Sequence, residues 1–150
     1  DWSSDVCSSD LIHKEYLAFV WGHLTPSSGR IETLIGRSRH NRKKMSANMH
    51  TGRMAITHYQ TLSVFNDISF LRICLETGRT HQIRVHLAHI GHAVVGDRQY
   101  GRRSGKKANI IVQRQMLHAE RLAINHPAAG KRMEFVAPLP DDMASLIEKL

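Results

Sequence analysis

Four histidines and two arginines fall within the eighteen residues 75–92, which read LETGRTHQIRVHLAHIGH. Donors at this density suit three kinds of site: a metal centre built from the histidines, an anion or RNA site built from the arginines, or a helix with an ordinary polar face. The secondary structure predicted around the motif and the charge of the whole chain indicate which of these three sites is favoured.

A metal centre is the least favoured of these sites. His86 and His89 lie three residues apart, so on a helix they could converge on one ion. A transition-metal site typically adds carboxylates or thiolates, but Glu76 is the only acid in the motif and Cys74 has no metal-binding partner spacing. We therefore expect no metal, and we interpret His86, His89 and His92 as polar-face or hydrogen-bonded core residues.

An anion site is better supported at the start of the same stretch. Arg79, Thr80 and His81 come directly before a predicted helix. The first backbone N–H groups of a helix are unpaired and attract anions, so these three side chains are candidates for contact with a phosphate.

The charge of the chain points to the same class of partner. The formal net charge is +8 and the pI is about 10.0, while an apolar content of 41% is enough for a folded core. No acidic residue lies between Glu32 and Asp67 or between Asp97 and Glu120. One interpretation is two solvated loops, and the other is contact with RNA phosphates. The second interpretation nominates the basic side chains Arg42, Lys43 and Lys44 of the first segment and Arg102 and Arg103 of the second.

The elements that must position these residues can be predicted coarsely. Residues 15–21, 55–62, 70–76, 116–124 and 132–136 have the composition of strands, and Ser27, Ser28 and Gly29 predict a turn. Asn66 and Asp67 separate the second and third strands, which predicts an antiparallel pair with one buried face. Thr80 is a plausible N-cap for a helix over 81–90 that Gly91 ends, and Asp141 for a last amphipathic helix.

The remaining bounds concern size and compartment. A chain of 150 residues is sufficient for one domain. Two cysteines, Cys7 and Cys74, cannot form a disulfide framework. The sequence has neither the plan of a signal peptide nor an apolar run long enough to span a membrane. We expect a cytoplasmic protein without a membrane contact.

Residues 12–150 resemble the large-subunit ribosomal RNA pseudouridine synthases, and among them most closely the D-type enzymes. The resemblance rests on a series of blocks in the family's order: HKEYLAFVWG, IGRSRHNRKKM, GRMAITHYQ, LETGRTHQIRVHLAHIGHAVVGDRQYG, MLHAERLAINHPAAGKRMEF and APLPDDM. Ala93 departs from the proline that the family usually carries. The resemblance implies an α+β fold, with a mixed, mostly antiparallel sheet flanked by helices, of which this chain holds the C-terminal part.

The resemblance also implies a chemistry. Family members isomerise a uridine of large-subunit rRNA without cofactor or metal: the base is flipped out, its N1 bond to ribose is cut, and C5 rejoins the ribose. An aspartate is the nucleophile or acid-base group, an arginine holds it, and a tyrosine packs on the base and can take the C5 proton. By the motifs, the tyrosine is Tyr16 and the arginine is Arg84. Arg79, Thr80 and His81 would bind RNA phosphate near them, and the two basic segments would grip RNA at some distance.

The family's aspartate lies in an Arg-Leu-Asp block before the Lys-x-Tyr strand, and that block is absent from this chain. Asp97 matches a structural block of the family rather than the nucleophile. Residues 1–11, DWSSDVCSSDL, match nothing in the family and resemble translated adapter sequence, so we expect a non-native leader joined to a truncated synthase that is inactive alone. The alternative is a non-catalytic RNA-binding module. The sequence does not identify the target uridine or the oligomeric state.

Overall fold

The computed structural model describes residues 12–47, 50–101 and 110–150, which form seven strands and two helices. The elements in chain order are β1 (Ile12–Trp21), β2 (Ser28–Arg37), β3 (Met45–Ala47), β4 (Arg53–Phe65), β5 (Ile68–Leu75), α1 (Gln82–His89), β6 (Leu117–Asn125), β7 (Arg132–Val136) and α2 (Asp141–Lys149).

The strands form one sheet in the order β3-β2-β4-β5-β1-β6-β7, and every pair of neighbours is antiparallel. The predicted α+β class with a mostly antiparallel sheet is confirmed. Strand β1 lies inside the sheet between β5 and β6, and Leu17, Ala18, Phe19 and Val20 are buried on it. Consecutive residues of a strand point to opposite faces, so this run shows that both faces of the sheet are covered.

Each face has its own core. On the α1 face, Ala18 and Val20 of β1 pack with Leu71 and Ile73 of β5 and with helix residues Ile83 and Leu87. On the α2 face, Phe19 and Ile68 pack with Met143 and Leu146. The two faces can therefore be described separately, and the motif of residues 75–92 belongs to the α1 face.

Two strands were missed by the sequence analysis. Ser28 and Gly29 were assigned to a turn but are the first residues of β2, and residues 45–47 form β3. Strand β2, SGRIETLIGR, contains two glycines and alternates charged with apolar side chains, so its intrinsic strand preference is weak. Its eight-residue register with β4, from Ser28 opposite Gln60 to Ile35 opposite Arg53, supplies the stability that local preference lacks.

The helix ends are partly as predicted. Thr80 is not the N-cap of α1, because His81 occupies that position with a left-handed backbone (φ 55°) and no side-chain cap. The predicted stop at Gly91 is correct, and its φ of +86° is readily accessible to glycine. Helix α2 begins at Asp141, but its N-cap is Pro140, and no side chain caps it.

Two further features bear on the expected setting. Cys74 is fully buried in β5. Within the three described ranges, no helix is long and apolar enough to cross a membrane.

Candidate active site

The Arg84 guanidinium is bound edge-on by a buried carboxylate. Its Nε donates to Asp97 Oδ2 at 2.8 Å and its Nη2 donates to Asp97 Oδ1 at 2.9 Å. The Asp97 side chain is 0% exposed and that of Arg84 is 14% exposed. The hydrogen bond to Asp97 is the main cause of the raised pKa of Arg84. Arg84 is therefore a fixed cation on α1, held from the loop that follows the helix.

Both carboxylate oxygens of Asp97 are occupied by hydrogen bonds within the protein. Besides Arg84, its Oδ1 accepts the backbone N–H groups of Gln99 at 3.0 Å and Tyr100 at 3.1 Å. Burial alone would raise the pKa of this carboxyl group, but the bonds from Arg84 and from the two N–H groups outweigh that effect and lower it. A buried carboxylate whose two oxygens accept four hydrogen bonds cannot reach a substrate carbon. The geometry agrees with a structural role for Asp97.

Tyr100 lies at the centre of the same cluster. The Arg84 Cζ atom is 5.0 Å from the centre of the Tyr100 ring, and Lys44 Nζ is 6.0 Å from it. The phenol oxygen accepts the backbone N–H of Met45 at 2.9 Å and lies 2.7 Å from His81 Nδ1. Tyr100 thus connects β3, the start of α1 and the Arg84 guanidinium.

His81 faces this cluster in a defined protonation state. Burial is the main cause that lowers its pKa, the Arg84 charge lowers it further, and Asp97 opposes both. Since the Tyr100 oxygen already accepts from Met45, its own proton is best placed on His81 Nδ1, which puts the histidine proton on Nε2. His81 also has a left-handed backbone, a conformation that is costly for a residue with a Cβ atom.

A buried polar network fixes α1 on the sheet. His86 is fully buried and contacts Thr33 Oγ1 at 2.8 Å through Nε2 and Thr57 Oγ1 at 2.7 Å through Nδ1. Gln82 Nε2 donates to Thr57 Oγ1 at 2.9 Å, and its Oε1 accepts from Thr77 Oγ1 at 2.7 Å. Burial lowers the pKa of His86 to about 4, so its ring is neutral at physiological pH.

The same network argues against convergence of the motif histidines on a metal. Both ring nitrogens of His86 are bonded to threonines, His92 Nδ1 donates to the backbone oxygen of Trp21, and His89 is exposed at the helix end. The three side chains take three different directions, and their interpretation as core or polar-face residues fits the structure.

Tyr16 lies on the α1 face, in the row of side chains that runs across the sheet to Ile73 and Tyr59. It packs against the α1-face core and is partly buried, and this burial raises its pKa. Lys14, two residues earlier on the same face, extends to the turn after β5: its Nζ is 3.5 Å from where a Cβ would lie on Gly78. Tyr16 and Arg84 are thus presented on the same face, although no direct contact joins them.

The predicted RNA-binding residues fall into two groups. Arg79 donates through Nε to the backbone oxygen of Met54 at 3.0 Å, and Thr80 is exposed beside it. Arg42 and Lys43 are exposed in the basic turn, residues 38–44, between β2 and β3. Arg102 and Arg103 lie outside the described residues.

The basic turn is closer to Arg84 than the sequence analysis expected. Gln99 Nε2 donates to the backbone oxygen of Lys43 at 3.0 Å, while Gln99 Oε1 accepts from Arg84 Nη2 at 3.2 Å. One side chain therefore separates the turn from the guanidinium. The turn lies near Arg84 because β3 folds it back over the loop of residues 97–100. That the turn grips RNA at some distance from the chemistry stays a prediction.

Sequence reasoning missed three residues of this site: Lys14, Gln99 and Tyr100. The block GDRQYG was identified as structural, and the Lys-x-Tyr pattern was noted for Tyr16 only. The available signal was alternation, since Lys14 and Tyr16 must share a face of β1. Nothing in the sequence alone indicated that Gln99 would bridge two segments that are 56 residues apart.

Comparison with known proteins identifies a family. The profile of the family described as RNA pseudouridylate synthase matches residues 4–89, more than half of the chain. An uncharacterized RNA pseudouridine synthase of Chloroflexus aurantiacus is 45% identical over 93% of this chain and 42% of its own length. The ribosomal large subunit pseudouridine synthase D of Salmonella typhimurium is 43% identical over 93% of this chain and 45% of its own length.

A solved structure gives the same result for the fold. The human RNA pseudouridylate synthase domain containing 1 protein superposes with a TM-score of 0.72 at 28% identity, over 92% of this chain and 65% of that one. The chain spans less than half the length of the curated relatives named above. The match of the family profile, the two relatives and the shared fold together establish that the chain belongs to the RNA pseudouridylate synthase family.

Proposed function

We propose that this chain is the C-terminal part of an enzyme that isomerises uridine to pseudouridine in large-subunit rRNA. The observation that carries the proposal is Arg84, a fixed arginine at the family's arginine position with one donor atom still available. Its Nε and Nη2 are bound, but Nη1 donates to no partner among the described residues. A planar guanidinium with a free N–H pair is suited to hold a carboxylate in a cleft.

The carboxylate would come from an Arg-Leu-Asp segment that residues 12–150 do not contain. In the proposed reaction the N1–C1′ bond breaks and leaves its electron pair on the uracil, while the aspartate either bonds to C1′ or takes a proton from the ribose. The uracil turns, and C5 bonds to C1′ as the aspartate–C1′ bond breaks or the proton returns to the ribose. The C5 proton then passes to a base or to water as the ring regains its double bond, and N1 takes up a proton. Arg84 stabilises the aspartate as an anion and aims it at the nucleotide.

Tyr16 would pack on the flipped uracil. Because its partly buried side chain has a raised pKa, the neutral phenol is favoured at physiological pH. This supports a stacking role more directly than acceptance of the C5 proton, since a tyrosine that accepts a proton must first lose its own. Removal of the hydroxyl group alone should therefore cost less activity than removal of the ring.

RNA would be held by the basic and polar side chains that flank Arg84. Arg79, Thr80 and His81 lie at the start of α1, and Arg42, Lys43 and Lys44 lie in the basic turn. Arg102 and Arg103, which lie outside the described residues, are included in the proposal on sequence grounds alone. The net charge of +8 supports a polyanionic partner, and the D-type relatives support large-subunit rRNA as that partner.

The proposal includes a cytoplasmic location and a reaction without cofactor or metal. The proposal also treats the chain alone as inactive and residues 1–11 as a non-native leader, although the match of the family profile begins at residue 4.

Tritium release from C5-labelled large-subunit rRNA tests the proposal. The 150-residue chain would be compared with a version that carries an upstream Arg-Leu-Asp segment, and with that version bearing Tyr16→Phe or Tyr16→Ala. We expect release only from the extended protein, with little loss for Tyr16→Phe and a large loss for Tyr16→Ala. No release from the extended protein on any rRNA fragment would contradict the proposal, and release from the 150-residue chain would contradict its inactivity.

A second function is favoured by one observation. Arg84 already has a complete bidentate partner in Asp97, so the fold does not require a further carboxylate to neutralise it. A chain that binds RNA without modifying it would have the same structure. Equal RNA affinity of the 150-residue chain and the extended protein, with no tritium release from either, would favour this RNA-binding module.

A further inference from the structure

We propose that Asp97 and Gln99 are positioning residues that fix Arg84 so that Nη1 is the one guanidinium nitrogen left for the reacting carboxylate. The proposal rests on the proposed function, because it concerns the arginine that would hold the catalytic aspartate. It goes beyond that function because it assigns a role to two residues that do not touch the substrate.

Nε and Nη2 share one edge of the planar Arg84 guanidinium, and both donate to Asp97 with nearly equal lengths of 2.8 and 2.9 Å. Two parallel bonds fix the plane of the group as well as its position. The Asp97 carboxylate is itself fixed by the backbone N–H groups of Gln99 and Tyr100.

The second hydrogen of Arg84 Nη2 is bound by Gln99. Gln99 Oε1 accepts from Nη2 at 3.2 Å, while the amide nitrogen of Gln99 donates to the backbone oxygen of Lys43. The orientation of the Gln99 amide is therefore determined from both ends. A carboxylate that approaches Arg84 finds Nε and Nη2 in use and Nη1 available.

One face of the Arg84 guanidinium is covered by Tyr100. The Tyr100 ring lies 5.0 Å from Arg84 Cζ, a distance typical of a cation–π contact, and it occupies one face of the group. Asp97, Gln99 and Tyr100 thus limit the group on two edges and one face. A second carboxylate at Nη1 would therefore share one cation with Asp97.

The role of Asp97 can be separated from that of a simple charge partner by a spectroscopic signature. An arginine held by a bidentate bond shows a protected Nε–H signal and slow rotation about its C–N bonds in ¹⁵N NMR spectra. In the 150-residue chain we expect this signature for Arg84. It should be weakened in Gln99→Ala and lost in Asp97→Asn. Asp142→Asn is the matched control, because Asp142 binds Arg114 with the same two distances on the surface.

The effect on activity is measured as tritium release by the extended protein, the version that carries the upstream Arg-Leu-Asp segment. Gln99→Ala, which leaves the Asp97–Arg84 bond in place, should lower kcat for tritium release about tenfold with KM for rRNA nearly unchanged. Asp97→Asn should lower kcat by about 100-fold, as expected when a reacting group moves by about 1 Å. Asp97→Glu keeps the charge but moves the carboxylate, so it should not restore kcat. Lys43→Gln should instead raise KM.

Three results would overturn the inference: a wild-type Arg84 signature in Asp97→Asn, a wild-type kcat in both Gln99→Ala and Asp97→Glu, or a change in KM alone for these variants. Asp97→Asn that does not fold leaves Gln99→Ala and Asp97→Glu to decide. If the extended wild-type protein released no tritium, the proposed function would fail, while the NMR arm would still decide whether Asp97 and Gln99 hold Arg84.

Discussion

Two arginine–aspartate pairs in this molecule have the same contact geometry and different surroundings. Arg84 Nε and Nη2 bind Asp97 at 2.8 and 2.9 Å, and Arg114 Nε and Nη2 bind Asp142 at 2.8 and 2.9 Å. The side chains of the first pair are 14% and 0% exposed, and those of the second are 40% and 46% exposed. The first joins α1 to the loop after it, and the second joins the segment before β6 to α2.

The difference shows why bond length does not determine the contribution of an ion pair. At the surface, water screens the pair and solvates either partner after the other is removed. At Asp97, desolvation opposes the charge, and only Arg84 and two backbone N–H groups compensate it. Loss of one partner there leaves a buried charge, so the same substitution should have very different effects at the two sites.

The largest expected effect is on stability. Asp97→Ala should lower the free energy of unfolding by about 3–5 kcal/mol, since it leaves the Arg84 charge buried and unpaired. Asp142→Ala should lower it by about 0–1 kcal/mol, because both side chains remain hydrated. Urea denaturation of the two variants measures both values. Equal losses would show that burial does not distinguish the pairs.

The second effect concerns the helix that carries Arg84. Burial lowers the pKa of His86 from 6.5 to about 4. Between pH 6.5 and 4, His86 is therefore protonated in the unfolded chain but mostly neutral in the folded chain. The free energy of unfolding should fall by about 3 kcal/mol over this pH range. Asp97 contributes stability above pH 3.8, the pKa of an aspartate in the unfolded chain, because its pKa in the folded chain is lower. This contribution is lost only as the pH falls below 3.8 and the unfolded chain takes up the proton first.

Substitution of His86 tests this assignment. His86→Gln keeps a group that can bond to Thr33 and Thr57 but removes the proton, so most of the fall between pH 6.5 and 4 should disappear. His81, whose pKa is also lowered, contributes in the same direction and should account for a remainder. His40→Gln, at an exposed position away from α1, is the control. An unchanged slope in His86→Gln would contradict the assignment.

A third, smaller effect on stability should distinguish alanine substitutions at two glycines, Gly96 in the loop before Asp97 and Gly91 at the end of α1. Gly96 and Gly91 both have positive φ, +84° and +86°. A Cβ on Gly96 would overlap the backbone oxygen of Arg114, whereas a Cβ on Gly91 would meet nothing within 4 Å. Gly91→Ala should cost about 1 kcal/mol, the strain of a left-handed backbone. Gly96→Ala should cost about 2–3 kcal/mol, since backbone must also move. Thermal unfolding of both variants checks the order.

The smallest effect concerns the basic turn. Lys43→Gln with Lys44→Gln should reduce the slope of log affinity against log salt by about 1 to 2, with the loss of one or two phosphate contacts. The folded state should be little affected, because Lys43 is exposed and holds Gln99 through its backbone oxygen, and because Lys44 Nζ is 6.0 Å from the Tyr100 ring, at the outer limit of a cation–π contact. Lys131→Gln with Lys149→Gln removes the same charge elsewhere. Equal changes in slope for both pairs would show a nonspecific effect of net charge.

The sequence was sufficient for the elements whose pattern is local. Strand β1, the β4–β5 hairpin, the helix α1 and the stop at Gly91 all followed from strand composition and turn chemistry. Strand β2 did not, because its residues are weak strand formers that gain stability only from pairing with β4. Thr80 was a reasonable N-cap by type, but the bond from His81 to Tyr100 fixes the chain one residue later.

The candidate site divides in the same way. Arg84 and Tyr16 could be identified by motif, and their shared face follows from alternation and from the position of α1. The partner of Arg84 could not be identified, since Asp97 lies beyond the helix and its approach depends on the turn at Gly96. The bridge from Gln99 to Lys43 depends on the fold of β3, a strand of three residues.

The central claim is that Arg84 serves the chemistry while Arg114, with the same bond geometry, serves only the fold. Single-turnover pseudouridine formation by the extended protein tests it, with Arg84→Lys compared with Arg114→Lys at saturating enzyme. The account predicts that Arg84→Lys is slower by about 100-fold, because a lysine cannot hold two carboxylates through separate edges, and that Arg114→Lys reacts at the wild-type rate. Equal rates for the two variants would contradict it.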